Sequence, residues 1–157
     1  ITDIDTVIPN AAGRHVACQV LHGQRTSNAC IKKWFDNPDI EPAHLLLTDD
    51  ASKTLGKRRL AFQRPEEEGG PCGRSFEDAF MLANVELFAF AGSSVEEREA
   101  QAWEAAKDVK KSEFALRHAL TVRDWNIPRY IRDGLMWLAE NDMPPPVVVL
   151  STARVVA

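Results

Sequence analysis

"ITDIDTV", residues 1–7, sets Asp3 and Asp5 one residue apart in an apolar, β-branched run. β-Branched residues favour strands, so the run predicts a strand over 1–7. Alternate side chains of a strand share a face, which would bring the two carboxylates together. Like charges that close repel, and each raises the other's pKa. A divalent cation between them offsets that cost, because hard cations take oxygen ligands. The plainer reading has one acid capping a turn and the other solvated.

Outward from this stretch, helix signals dominate. Residues 8–25 read as a loop with a short strand near 16–21. "TSNACIKKWFDN" (26–37) reads as a helix, with Thr26, Ser27 and Asn28 as candidate caps and Ile31, Trp34 and Phe35 on one face. A short helix is expected over 41–47, a strand over 57–65 ended by Pro65, and a loop over 66–73. "GRSFEDAFMLAN" opens a helix with Phe76, Ala79, Phe80 and Ala83 on one side. Further helices are expected over 94–110, lying on a surface, and over 112–121 with Ser112 as cap. The last helix falls in "DWNIPRYIRDGLMWLAEN" (124–141), with Asn126 as cap, Pro128 in the first turn and Ile127, Ile131, Leu135 and Leu138 as its buried face. "MPPP" (143–146) stops it, and "VVVLSTARVVA" (147–157) is a strand or a tail.

Composition limits the function classes. The 157 residues are 45% hydrophobic and 27% charged, ordinary for one globular domain. No apolar run approaches the ~20 residues of a membrane span, and none reads as a signal peptide. Cys18, Cys30 and Cys72 have no CxxC spacing, so free thiols and a cytoplasmic setting are expected. Net charge is −4, leaving only local basic clusters such as Lys32/Lys33, Lys57/Arg58/Arg59 and Lys107/Lys110/Lys111 to meet a polyanion. The plainer reading of each is a solvated face. The four histidines lack metal spacing, and the four tryptophans read as packing residues. The chain starts inside a strand signal without Met, so a piece of a longer protein, cut on its N-terminal side, is expected.

Two further motifs carry chemistry. Ser75-x-x-Asp78 is close to a capping box, and Glu77 then stands in a first turn, where the helix dipole favours an acid. The functional alternative has Glu77 completing the oxygen shell of a metal. Lys111, just before Ser112, is either a surface lysine or a cation that steadies charge on a pentacovalent phosphate.

In order, "ITDID", "TSNACIKKWFDN", "RRLAFQRPEEE…CGRSFEDAFMLAN", "KKSEFALRHAL" and "WNIPRYIRDGLMWLA" resemble one family over roughly residues 1–140. It is the C-terminal nuclease region of the OLD (overcoming lysogenization defect) family of ATP-dependent endonucleases. The resemblance implies an α/β, Toprim-like partial domain with a large helical insertion and a helical C-terminal part. Core segments would occupy 1–65, the insertion 66–121, the C-terminal helix 122–142 and a tail 143–157. It implies two divalent metal ions, Mg²⁺ or Mn²⁺, with Ca²⁺ substituting without activity. Asp3 and Asp5 match the D-x-D pair, Ser75 and Glu77 the S-x-E element, and Lys111 the active lysine, with Lys110 adjacent. Asp3, Asp5, Ser75 and Glu77 would hold metal. One ion would generate hydroxide and the other would stabilise the leaving oxygen, about 3.5–4 Å apart. DNA would be the substrate, an N-terminal ABC-type ATPase of the parent chain the partner and route for ATP, and self-association is compatible with it.

The sequence departs from the family in one respect that matters. The family's E-G-x-x-E motif stands upstream of the D-x-D, and here only Glu66–Glu68 before Gly69 come near it, in the wrong order. There is no G-x-x-x-x-G-K-[ST] loop either. Poor catalysis is therefore expected of this stretch alone. Two rivals stand beside the nuclease. "DIDTV" fits a haloacid dehalogenase-like phosphatase, with Asp3 as nucleophile, Asp5 as acid/base and "LLLTDD" (45–50) as a faint magnesium motif. The other rival is a non-catalytic interaction or dimerisation module built on the helices of 94–140.

Overall fold

The computed structural model describes residues 1–121 and 124–141. Over these the fold is mixed α/β, with six α-helices and two small sheets whose pairings are all antiparallel. β1 (Thr6–Pro9) lies between β2 (His15–Ala17) and β3 (Arg25–Thr26), with Val7 opposite Ala17 and Thr6 opposite Thr26. β4 (Thr54–Leu55) and β5 (Arg58–Arg59) form a hairpin turned through Gly56, whose φ of 57° suits glycine. A 3-10 turn, Val20–His22, follows β2 where the sequence pattern predicts strand.

The opening stretch departs from its expected strand. Only residues from Thr6 onward enter the sheet. Upstream, the Thr2 N–H donates to the Ala61 carbonyl at 2.9 Å, but the next donor in step, Ile4 N–H, goes to the Gln63 side-chain carbonyl at 2.7 Å. Asp5 then takes a left-handed φ of 51°, and its N–H donates to the Arg74 carbonyl at 3.0 Å. A side chain in place of a ladder carbonyl, followed by a left-handed residue, ends strand alternation before the acid pair is complete. The strand expected over 57–65 is likewise reduced to Arg58–Arg59. Leu60, Ala61, Phe62 and Gln63 are all buried, without in–out alternation.

The helices follow local signals more closely. α1 (Ala29–Trp34) is capped by Asn28, whose side-chain oxygen accepts the N–H groups of Cys30 and Ile31 at 2.9 and 3.2 Å. α2 (Pro42–Leu46) starts on proline. α3 (Phe76–Ala83) follows Ser75, and α4 (Val95–Lys107) has a capping box between Ser94 and Glu97. α4 is not confined to the surface, since Ala102 and Glu99 are buried. α5 (Lys111–Leu120) begins one residue before the expected cap: Lys110 holds the cap position and Ser112 lies inside the helix.

α6 (Arg129–Asn141) corrects two expectations. Asn126 does not cap it. Its N–H donates to Asn84 Oδ1 at 2.6 Å and its carbonyl accepts from Asn84 Nδ2 at 2.9 Å, tying the approach to α6 onto the end of α3. The Arg129 N–H is instead met by Glu66 Oε1 at 2.7 Å, an acid placed where the helix dipole favours it. Nor is the expected apolar face buried. Ile127, Leu135 and Leu138 are exposed, Ile131 is half-buried and Tyr130 is the buried residue, because α3 and α5 leave an open groove along that side rather than closing over it. The tail expected at 143–157 lies outside the described residues.

Two cores result. Ile4, Val20, Ile31, Ile40, Leu45, Leu60, Phe62 and Cys72 form an aliphatic one around the sheet segments. Phe80, Met81, Leu82, Ala102 and Phe114 form the second, with Phe76, Phe88 and Trp125 packed on it. Glu99 of α4 joins them: its carboxylate accepts the Leu21 and Cys72 N–H groups, each at 2.9 Å. α3 leaves the seam between the cores, and its N-terminus is where the candidate site forms.

Candidate active site

The residues of the two D-x-D and S-x-E elements meet at this seam although about 70 positions separate them. Asp3 reaches it from the irregular opening stretch. Its carboxylate accepts from Gln63 Nε2, whose own carbonyl oxygen is held by the Ile4 N–H, so the Gln63 amide is fixed in one orientation. Gln63 is fully buried, and the Tyr130 hydroxyl lies 3.5 Å from its nitrogen. Burial raises the Asp3 pKa, the Gln63 bond works against that, and the charges of Asp5 and Glu77 raise it while Lys111 lowers it. Burial, then the Asp3 charge, likewise push the Tyr130 phenol upward. Asp3, Asp5, Glu77 and Lys111 therefore share one electrostatic environment.

Asp5 is held twice by one residue. Its N–H meets the Arg74 carbonyl, and its Oδ1 pairs with Arg74 Nη2 at 2.9 Å. Arg74 lies just before the helix because residues 73–75 are clamped to α3. The Asp78 carboxylate accepts the Arg74 N–H at 3.1 Å and the Ser75 N–H at 3.0 Å. This is the back-reaching half of the expected capping box. The Ser75 hydroxyl points at acids, donating to Glu77 Oε2 at 2.9 Å and also contacting the Asp78 carboxylate. Gly73 makes the clamp feasible, because a Cβ there would come within 2.3 Å of the Ala79 nitrogen.

Glu77 is only 5% exposed, more deeply placed than a first-turn acid that merely complements a dipole. Lys111 Nζ lies 3.2 Å from its Oε2, reaching in from an otherwise exposed position at the start of α5. The neighbouring Lys110 turns to Glu113 at 3.0 Å, so the structure brings Lys111, not Lys110, to the acids.

Three carboxylates and a hydroxyl form an all-oxygen donor set, which fits a hard divalent cation in kind. Their present spacing is not closed on a point: among the described residues no three His, Cys, Asp or Glu side chains converge tightly enough to ligate one ion. The positions next to Asp5 and Glu77 are taken by Arg74 and Lys111. Asp3, Asp5, Ser75 and Glu77 are the oxygen-bearing residues at the seam, and as they stand they do not enclose a metal position.

Sequence reasoning overlooked Gln63, Arg74 and Tyr130. Gln63 carried a usable signal, since an amide ending the apolar run "LAF" must find partners if it is buried. Arg74, directly before S-x-E, carried a weaker one. Elsewhere, the Asp50 carboxylate is engaged by Lys53 and Arg59, both at 2.9 Å, which lowers its pKa to about 2. Asp49 accepts the Ser52 N–H at 2.7 Å. The acids of "LLLTDD" are thus used locally. No described helix is long and apolar enough to cross a membrane. Compared with known protein families, curated proteins and solved structures, the chain matches none.

Proposed function

We propose that the chain is the acid-bearing portion of a divalent-metal-dependent DNA endonuclease with a Toprim-like core, of the kind its sequence resembles in OLD-family nucleases. One observation carries the reading: Asp3, Asp5, Ser75, Glu77 and Lys111, named from motifs far apart in sequence, gather at one seam, where Ser75 and Lys111 both contact Glu77 and Asp3 feels the charges of Asp5, Glu77 and Lys111. A protein gathers like charges at a cost unless a cation or a reaction uses them.

Asp3 would offer an oxygen oriented by Gln63, and Asp5 one positioned by the Arg74 backbone. Glu77 would offer one fixed by Ser75. Lys111, on an exposed stem, would supply positive charge beside the acids, where a scissile phosphate gains negative charge in the transition state. The bound ions, Mg²⁺ or Mn²⁺, would activate water and stabilise the leaving oxygen. DNA contacts beyond the acids would be to phosphates and would weaken with salt. A cytoplasmic setting and an ATPase partner in the same parent chain belong to this proposal.

The apolar side of α6 supports the interaction-module reading as second. Ile127, Ile131 and Leu135 line a groove with Phe76, Phe114 and Trp125, and Leu138 is exposed on the same helix. The two readings separate on metal. Mn²⁺ binding is measured by electron paramagnetic resonance on the chain and on Asp5→Asn, a replacement that tolerates a left-handed φ. Plasmid nicking is then scored with the upstream glutamate segment supplied. Binding and nicking that both disappear with Asp5→Asn support the nuclease. No Mn²⁺ binding at all overturns it in favour of the module, and an aspartyl-phosphate trapped at Asp3 would favour the phosphatase.

A further inference from the structure

Arg74 is anchored at the seam through both its main chain and its side chain, and no motif pointed to it. Its main chain is fixed at both ends of the residue, the N–H to Asp78 and the carbonyl to the Asp5 N–H. Its guanidinium lies over the Trp103 ring, 5.6 Å from the centroid, with Nη2 on Asp5. Its Nε is buried and has no hydrogen-bond partner among the described residues. A buried N–H without a partner is costly, and a guanidinium carries five donors in a fork that matches phosphate. Arg74 thus has a pivot, an acid it can release and a donor left unused.

We propose that Arg74 is an internal stand-in for the metal, holding Asp5 until a divalent ion displaces it, and that the displaced guanidinium then contacts a phosphate of the nucleic acid. This deepens the nuclease reading and rests on it. Metal and arginine compete for the same carboxylate, so removing the arginine charge should tighten metal binding. The same change removes a phosphate contact and should weaken DNA binding. Trp103 gives the displaced side chain a face to slide along, because cation–π attraction tolerates lateral shifts better than a hydrogen bond does.

The decisive pattern is therefore two effects of opposite sign. Mn²⁺ binding would be measured on wild type, Arg74→Gln and Arg74→Lys. Binding of a short duplex in Ca²⁺ would be followed across a salt series. For Arg74→Gln, Mn²⁺ should bind about fivefold tighter, the scale of losing one partly exposed ion pair. Duplex binding should weaken, with a salt slope smaller by about one. Arg74→Lys, which keeps the charge but loses the fork, should fall between on DNA and stay near wild type on Mn²⁺. A loss of both affinities means a purely structural role and overturns the proposal, as does unchanged Mn²⁺ affinity in folded Arg74→Gln. Should that variant fail to fold, nitrogen resonances of Arg74 in the wild type answer the same question. They must move when Mg²⁺ is added, and a fixed Nε–Hε signal at saturating Mg²⁺ refutes displacement. Wild type that binds no Mn²⁺ refutes both this proposal and the nuclease reading, whereas binding with no arginine effect refutes only this one.

Discussion

The sheet side and the helical side of this protein are built on different physics. On the sheet side, Ile4, Ile31, Ile40 and Leu60 are buried by strands of two to four residues and by loops. So little ladder cannot hold a core by itself. Side chains do part of its work: Gln63 for Ile4, Asn28 for Thr2 and the Asp3 carbonyl, and the Thr26 hydroxyl for the Ile4 carbonyl. On the helical side the backbone satisfies itself within helices, and rings fill the space. Phe80 lies within 6.2 Å, centroid to centroid, of Phe76, Phe88, Phe114, His118 and Trp125. Specific polar bonds position one half and apolar volume the other. The candidate site takes its irregular acids from the first and its rigid helix start from the second.

That contrast can be broken in several places. Phe80→Ala has the largest expected effect, about 3–5 kcal/mol of stability by urea unfolding, with the helical side losing its order first. A cost under about 1 kcal/mol would mean that the ring cluster is not what organises it.

Glu99→Ala comes next, because it detaches one half from the other. It orphans two N–H groups, at on the order of 1–3 kcal/mol each. Glu99→Gln sharpens the point through pH. Burial raises the Glu99 pKa above its ordinary 4.5. The native state therefore binds the proton more tightly than the unfolded chain, and this contribution is full below 4.5 and lost as pH rises through the higher native value. Wild-type stability relative to Glu99→Gln should fall over that interval and level off above it, as read by unfolding at a series of pH values. A flat difference would show that the carboxylate is not buried in solution.

Gly73→Ala tests whether the helical side positions the site. Overpacking against Ala79 should cost on the order of 1–3 kcal/mol. Amide resonances of Arg74, Ser75 and Glu77 should shift while those of β1 and β2 stay in place. Ser94→Ala should be the mildest, about 1 kcal/mol, since it removes one exposed cap from α4. A larger loss would show that α4 depends on its cap more than on Ala102 and its neighbours.

Much of the helical side was legible in advance. The Ser75–Asp78 pair is a short-range signal and operates where it was read, as does the Asn28 cap on the sheet side. The strand expectations fared worse. The β-branched pattern of 1–7 is real, yet Gln63, some 60 residues away, supplies the bond that breaks the ladder. Periodicity shows which face of α6 is apolar but not whether anything covers it, and Ile127, Leu135 and Leu138 stay exposed.

The sequence by itself determined that the chain is helix-rich and roughly where its helices lie, with the caps at Asn28 and Ser75, because capping and periodicity act within a few residues of the chain. Only the tertiary structure decided that Asp3 and Asp5 meet Glu77 through a left-handed Asp5 and a buried Gln63 rather than along a strand face. The tertiary structure alone also set Arg74 and Lys111 against those acids. Burial and charge pairing depend on which distant segments fold against one another, and no local pattern encodes that choice.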